Sequence, residues 1–256
     1  MAAPGPSERD AALPRAGAQP GPARHGDGPA SLGVVMLETR FPRPRGDIGN
    51  AATFDFPVHY RIVRGASPRR VVIERDRSLL APFVDAARAL QDEGAGAIAT
   101  SCGFLALFQR ELQDALDVPM WSSSLLELAP LQARLGAGHR AGVVTVDAAS
   151  LGAEHLAAVG ASADTPIEGL ARDSAFRATL LEDRAVLDIE EAAAATVAAA
   201  ERLVGRHPEV AAIVLECTNM PPYADAVRRA TGLPVHDITT LVAARFAALR
   251  TTQARR

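Results

Sequence analysis

Two apolar segments of this chain each end beside a cysteine, and these are the only two cysteines in the sequence. Residues 96–104 read GAIATSCGF, and residues 210–219 read VAAIVLECTN. Short apolar runs that stop abruptly are typical of buried parallel strands. Ligands of open α/β sheets bind outside the carboxyl ends of such strands. The pattern therefore predicts two thiols, each at the rim of a sheet.

The sequences around the two cysteines also match. Cys102 precedes Pro119 by 17 positions, and Cys217 precedes Pro234 by the same 17. Each interval holds a helix-length segment, and the apolar runs GVVML from residue 33 and GVVTV from residue 142 open the two halves. Because strand-like and helix-like segments alternate throughout, we predict two copies of one α/β unit with mostly parallel sheets.

Composition excludes several classes of function. All 27 basic residues are Arg, so lysine Schiff-base chemistry and a Walker A phosphate loop are both excluded. The net charge of -3 and the aromatic content of 4% argue against a nucleic-acid or membrane-surface partner. No apolar stretch approaches the roughly 20 residues of a membrane span, and we see no signal peptide. We predict a cytoplasmic protein with reduced thiols, and a disordered tail at residues 1–30.

One loop follows the first strand directly. Residues 39–50 read TRFPRPRGDIGN and contain three arginines, Arg40, Arg43 and Arg45, with Asp47 and Asn50. Its position at a strand end predicts a substrate-binding loop in which an arginine pairs with a carboxylate. A solvated surface loop without a specific role is the alternative.

The two cysteines suit proton transfer. A thiol at a strand end faces backbone N–H groups of the following turn, which we expect to lower its pKa toward neutrality. Two such thiols across a cleft would serve as acid and base on opposite faces of one carbon. The alternatives are inert buried thiols, a disulfide switch, or a zinc site of Cys102 and Cys217 with His59 and His236.

The segments TSCGF and ECTNMPPY, set in mirrored halves, resemble the cofactor-independent aspartate/glutamate/hydantoin racemase superfamily over roughly residues 32–249. The resemblance implies two flavodoxin-like domains related by pseudo-two-fold symmetry, with the active site between them. It implies a first domain of residues 31–122 plus 236–256 and a second domain of residues 123–235. It also implies catalysis without cofactor or metal, and a homodimer.

The chain departs from the glutamate racemases of that superfamily, which usually have Cys-Asn-Thr at the first site and Gly-Cys-Thr-His at the second. Here the first site reads CGF at residues 102–104, and the second reads ECTN at residues 216–219. Phe104 and Met220 indicate a less polar pocket, suited to a hydantoin or another carboxylate. Arylmalonate decarboxylases of the superfamily keep only the second cysteine, so Cys102 favours racemisation.

We predict a racemase or epimerase in which Cys102 and Cys217 transfer protons at the carbon next to a carboxylate or carbonyl. The substrate is a small-molecule carboxylate, such as an amino acid or a hydantoin. The predicted substrate-binding residues lie at the strand ends and in the loop of residues 39–50: Thr100, Ser101, Gly103, Thr218, Asn219, Asn50, Asp47 and Arg45. The alternatives are a decarboxylase or cis-trans isomerase that uses mainly Cys217, and a non-catalytic protein that binds small anions.

Overall fold

The structure, a computed structural model, describes residues 31–253, so the tail predicted at residues 1–30 lies outside the described part. Within residues 31–253, eight strands form two four-stranded sheets. The first sheet contains β1 (Ser31–Leu37), β2 (Val58–Val63), β3 (Ala95–Thr100) and β4 (Met120–Trp121). The second contains β5 (Arg140–Thr145), β6 (Ile167–Gly169), β7 (Val210–Leu215) and β8 (Val235–His236).

The two sheets have the same topology. Their strand orders are β2-β1-β3-β4 and β6-β5-β7-β8, and every neighbouring pair is parallel. Even the register corresponds, since Val35 pairs with Thr100 in one sheet and Val144 pairs with Leu215 in the other. The prediction of two flavodoxin-like α/β units with parallel sheets is confirmed. Both cysteines follow the third strand of their sheet, at its carboxyl end.

Eight α-helices are described in residues 31–253, and none is long and apolar enough to cross a membrane. They are α1 (Leu80–Asp92), α2 (Gln109–Asp114), α3 (Leu128–Arg134), α4 (Ala153–Ala158), α5 (Ala175–Leu181), α6 (Ile189–Arg206), α7 (Ala224–Thr231) and α8 (Ile238–Gln253). Local sequence explains several boundaries. Asp188 accepts hydrogen bonds from two backbone N–H groups at the start of α6, and Gly232 ends α7 with a φ of 69°.

Three local predictions were wrong. The segment after Cys102 begins as a 3-10 helix (Gly103–Phe108) and becomes α-helical only at α2. The sequence of residues 148–159 predicts a helix, but α4 starts only at Ala153, because the preceding residues form a turn in which Ser150 Oγ donates to Asp147 Oδ2 at 2.5 Å. The short helix α5 was missed altogether.

Two hydrophobic cores hold the elements together. The larger one runs through both halves and includes Phe104 and Leu125 from the first cysteine's side and Leu215 from the second sheet. The smaller one lies on the outer face of the first sheet, where Phe246 of α8 packs with Leu32 of β1. The last helix thus returns to the first sheet. The domain boundaries given above stay a prediction.

Candidate active site

Both cysteines line one small cavity between the carboxyl ends of β3 and β7. Its volume is about 30 Å³, which is room for about two water molecules. The cavity brings together six residues predicted from the sequence: Ser101, Cys102, Gly103, Cys217, Thr218 and Asn219. Both thiols are free and buried. The pseudo-symmetric halves therefore present their cysteines to the same cavity.

Hydrogen bonds that link the strand ends of the first sheet to those of the second sheet hold this space together. Thr218 Oγ1 donates to the Ser101 carbonyl at 2.6 Å, which joins the loop after β7 to the end of β3. Ser124 Oγ donates to the Leu215 carbonyl at 2.7 Å from the segment that follows β4. All four residues are buried. The backbone on either side of each cysteine is thereby fixed relative to the other half.

A chain of polar contacts orients the Cys217 thiol. Cys217 Sγ donates to Asn219 Oδ1 at 3.6 Å, and Asn219 Nδ2 donates to Asp47 Oδ2 at 2.6 Å. The other Asp47 oxygen accepts from Arg43 Nη1 at 2.9 Å and from the Gly49 N–H at 2.7 Å. Asp47 is fully buried, and both of its oxygens are used. It supports Asn219 from outside the cavity lining.

The structure does not bring Thr100, Asn50 or Arg45 into the cavity lining. Thr100 Oγ1 donates to the Ser122 carbonyl at 2.6 Å, behind the strand end. Asn50 caps a short 3-10 helix, and its Nδ2 donates to the Arg43 carbonyl at 2.8 Å. Arg45 is exposed. The first two hold backbone in place, and the third faces solvent.

Arg43 is the arginine of the loop that reaches the cavity. Its guanidinium lies 4.8 Å from the centre of the Phe41 ring, and Nη2 donates to Thr39 Oγ1 at 3.2 Å. In the sequence, the arginines at 40, 43 and 45 all stand among proline and glycine. No periodic pattern there distinguishes the inward-facing one.

Glu216 is the other charged residue of the cavity lining that the sequence analysis did not select. Its side chain is fully buried, and Oε2 accepts a hydrogen bond from Thr145 Oγ1 at 2.6 Å. Burial raises the pKa of Glu216 to about 8, although the Thr145 hydrogen bond opposes that rise. An acid at the end of an otherwise apolar strand was the available signal, because buried carboxyls are rare outside functional sites.

Burial also determines the pKa values of the two thiols. The prediction that these values lie near neutrality was wrong. Burial raises the pKa of Cys102 to about 12, with a further rise from the Glu216 carboxylate. The N–H groups of Phe104 and Leu105 do lower it, but less. Burial and the Glu216 carboxylate likewise raise the pKa of Cys217 well above its ordinary value. The sequence argument weighed the N–H groups and neglected desolvation.

The rest of the cavity wall is mainly apolar. Phe41 and Phe104 contribute aromatic rings, and Leu180 and Leu181 of α5 cover the space from the second half. Other apolar lining residues are Leu37, Pro68, Val72 and Val146. A less polar pocket was predicted from Phe104 and Met220, and the apolar lining includes Phe104 but not Met220.

The metal alternative finds no geometric support in the described residues. Within residues 31–253, no group of three or more His, Cys, Asp or Glu side chains is arranged to hold a metal ion. His59 is exposed on β2, and His236 lies outside the cavity lining. The two cysteines are not bonded to each other.

Comparison with known proteins gives sequence relatives of one kind. The chain is 33% identical over 216 residues to a dimethylsulfoniopropionate lyase from Durusdinium sp. clade D. The matched region covers 81% of this chain and 71% of that protein. It is 31% identical over 230 residues to dimethylsulfoniopropionate lyase 3 from Emiliania huxleyi (strain CCMP1516). That match covers 86% of this chain and 60% of the longer Emiliania protein.

Solved structures share the fold at low identity. Unliganded arylmalonate decarboxylase matches with a TM-score of 0.57 and 19% identity, covering 86% of this chain and 92% of that one. Picrophilus torridus aspartate racemase matches with a TM-score of 0.52 and 15% identity, covering 87% and 94%. The family described as Asp/Glu/Hydantoin racemase matches residues 67–246. The chain belongs to the Asp/Glu/hydantoin racemase family.

Proposed function

We propose that this chain is a cofactor-independent lyase that eliminates dimethyl sulfide from dimethylsulfoniopropionate or a close sulfonium carboxylate. The observation that carries the proposal is the meeting of two thiols and the Arg43 guanidinium around one apolar cavity. Proton transfer and carboxylate binding are the two tasks that such an elimination requires. The substrate is suggested by the names of the sequence relatives.

The reaction needs one base. A cysteine thiolate takes a proton from the carbon next to the carboxylate, and that C–H pair of electrons forms the new C=C bond. The bond from the neighbouring carbon to sulfur breaks, and its electron pair goes to the sulfonium, which leaves as neutral dimethyl sulfide. Acrylate remains, and the thiol later releases its proton to solvent. Cys102 and Cys217 are the two candidates for this base.

The substrate itself would help to ionise a buried thiol. A cation close to a thiol favours the thiolate, and the sulfonium group brings such a cation into the cavity. The ring of Phe104 suits a sulfonium cation and its methyl groups, whereas the Phe41 ring already packs against the Arg43 guanidinium. Arg43 keeps Nη1 on Asp47 and has further N–H groups to donate to the substrate carboxylate. The high thiol pKa of the free protein is therefore compatible with base catalysis once substrate is bound.

The cavity must enlarge to admit this substrate, because about 30 Å³ is room for little more than water. The wall that can move consists of Leu180 and Leu181 at the end of α5 and Phe41 in the loop of residues 39–50. We expect binding to displace these side chains while the fixed backbone around the cysteines stays in place.

The direct test measures dimethyl sulfide by headspace gas chromatography and acrylate by proton NMR, with dimethylsulfoniopropionate as substrate. We expect the wild type to release dimethyl sulfide. The rate should fall about 100-fold or more in at least one of the single variants Cys102→Ser and Cys217→Ser, which is the scale of a lost acid or base. Arg43→Ala should raise KM strongly, whereas Arg45→Ala, in the same loop but exposed, should not. Absence of sulfide from the folded wild-type protein would reject the lyase.

Racemisation is the second candidate, and the observation that favours it is that the two thiols come from the two symmetric halves. A racemase needs a base and an acid on opposite faces of one carbon, whereas an elimination needs a single base. Proton NMR in D2O with chiral amino acids, hydantoins and 2-substituted carboxylates separates the two. Loss of the α-proton signal without sulfide release would favour the racemase. Thermal stabilisation by a carboxylate without any turnover would favour a binding protein.

A further inference from the structure

Glu216 occupies the place in the second half that Ser101 occupies in the first. Each residue precedes its cysteine, and their backbones are held alike: Ser101 N donates to the Val35 carbonyl at 3.0 Å, and Glu216 N donates to the Val144 carbonyl at 2.8 Å. The side chains differ. Ser101 Oγ accepts from the Leu37 N–H at 3.0 Å and is satisfied. The pseudo-symmetry is thus broken at the residue before the cysteine, by a carboxyl group.

One oxygen of that carboxyl is left for a ligand. Glu216 Oε2 accepts from Thr145, but Oε1 is buried and has no hydrogen-bond partner among residues 31–253. Glu216 lines the cavity. Its Oε1 lies against Gly103, where even a Cβ atom would overlap with it. The carboxyl is therefore next to Cys217 in sequence and beside the backbone that follows Cys102 in space.

The groups around Glu216 favour its neutral form. Thr145 donates from β5, and the two thiols share the cavity with it. The one cation in the lining, Arg43, is already paired with the buried Asp47. No free positive charge of the described lining balances a Glu216 carboxylate. An uncompensated buried carboxylate is costly, so the group keeps its proton.

We propose that Glu216 is a catalytic residue that acts as a protonated carboxylic acid, with its Oε1–H donating a hydrogen bond to the substrate carboxylate as that group gains negative charge. This inference rests on the proposed α-proton removal. Taking a proton from the carbon next to a carboxylate concentrates charge on the carboxylate oxygens, and a buried neutral donor stabilises that charge. An ionised Glu216 would instead repel both the substrate and the thiolate.

The protonation state can be tested without substrate. Iodoacetamide alkylation of the thiols is followed by mass spectrometry from pH 6 to pH 10 in the wild type and in Glu216→Gln. Gln keeps a donor but cannot ionise, so above pH 8 we expect its thiols to react about tenfold faster, as one pKa unit would give. Glu201→Gln, which alters an exposed carboxylate on α6, should match the wild type. A Glu216→Gln protein whose thiols already react faster than those of the wild type at pH 6 to 7 would show that Glu216 is ionised there, and it would overturn the proposal.

The catalytic role is tested by the pH profile of kcat/KM for sulfide release. At pH 7 we expect Glu216→Gln to stay within about threefold of wild type and Glu216→Leu to fall about 100-fold, the scale of a lost oxyanion donor. The decline of wild-type activity as Glu216 ionises near pH 8 should be absent in Glu216→Gln. If Gln proves as defective as Leu, the donor role is rejected. If the wild type releases no sulfide, the proposed lyase function is rejected. The alkylation experiment still decides the protonation state of Glu216 in that case.

Discussion

Ionising a carboxyl group that is cut off from solvent costs free energy, and Glu216 is such a group. Its ordinary pKa of 4.5 is raised to about 8 in the folded chain. Between these values the folded state holds a proton that the unfolded state has released, so stability falls as the pH rises from about 5 to 8. The full loss is on the order of 4 kcal/mol.

We expect Glu216→Gln to remove this penalty. Its melting temperature at pH 8 should exceed that of the wild type by several degrees, at roughly 2–4 °C per kcal/mol for a chain of this size. At pH 5 the two proteins should melt alike. Differential scanning calorimetry at both pH values checks this, with Glu201→Gln as the exposed control. Equal melting temperatures at pH 8 would mean that Glu216 is charged and balanced by a group not considered above.

Gly103 is required by the close approach of Glu216. A Cβ at this position would overlap with both the carbonyl oxygen and Oε1 of Glu216. We expect Gly103→Ala to lower the free energy of unfolding by about 1–3 kcal/mol, as overpacking does, and to shift the Glu216 carboxyl. Urea titration measures the first effect, and the alkylation profile measures the second.

Gly205 is the matched control for that substitution. It lies inside α6, and a Cβ there would meet nothing within 4 Å. Gly205→Ala should therefore stabilise the chain by about 0.5–1 kcal/mol, because Ala loses less entropy in a helix. If the Gly103→Ala protein were as stable as the Gly205→Ala protein, the close contact between Gly103 and Glu216 would be contradicted.

At this scale the sequence predicted the residues that the repeat marks, and missed those that only packing reveals. The matching segments identified Cys102 and Cys217 because a repeated strand end is visible in the sequence itself. The sequence analysis selected Arg45, which is exposed, instead of Arg43, which lines the cavity, because a loop rich in proline and glycine has no period that shows which side chain turns inward. Thiol pKa values were mispredicted because burial depends on the complete fold.

At the scale of elements, one contact joins the loop of residues 39–50 to the end of α5. The Arg40 N–H donates to Asp183 Oδ1 at 2.6 Å, and Arg40 Nε donates to Asp183 Oδ2 at 3.1 Å. Arg40 is largely exposed, so this pair contributes little to global stability. It does connect the two segments whose side chains, Phe41 and Leu181, cover the cavity.

We expect Asp183→Gly to loosen that cover. Glycine tolerates the φ of 54° found at this position but removes the acceptor. Iodoacetamide should reach the cysteines several-fold faster at unchanged melting temperature. Glu182→Ala removes a neighbouring carboxylate that pairs only locally with Arg184, and it should alkylate like the wild type. Equal rates in both variants would show that this contact does not restrict access.

Strands and long helices were predictable, and short or irregular elements were not. The apolar runs of β1, β3, β5 and β7 and the Ala-rich α6 carry strong periodic signals. The seven-residue α5 gave too short a pattern beside its mixed flanking residues. The late start of α4 depends on a side-chain turn at Asp147, which competes with helix formation locally.

At the scale of the whole molecule, α8 closes the outer face of the first sheet. Phe246 is fully buried there and lies 4.3 Å from Phe56, ring centre to ring centre. We expect Phe246→Ala to lower the free energy of unfolding by about 3–5 kcal/mol, the usual cost of truncating a buried aromatic residue. Urea titration checks this, and Arg250→Ala, on the exposed side of α8, should change stability by less than about 0.5 kcal/mol. A small effect of Phe246→Ala would mean that α8 is not needed for the first sheet.

The paired architecture followed from the repeat, but the return of the last helix did not. Only the resemblance to a known family implied that residues near 236 rejoin the first half. The composition of α8 does not show which sheet the helix covers, because an apolar helix face can pack against either sheet. The packing of Ile238 and Val242 with Leu32 supplies that information.

The position of α8 also affects when the first sheet can finish folding during synthesis. Leu32 and Phe246 belong to one core, yet nearly the whole described chain separates them, and contacts of such long range form slowly. The second sheet is itself complete only at His236, directly before α8, so one face of the first sheet stays uncovered while almost all of the described chain is synthesised. We therefore expect the first half to be the one that needs protection from aggregation until α8 packs against it.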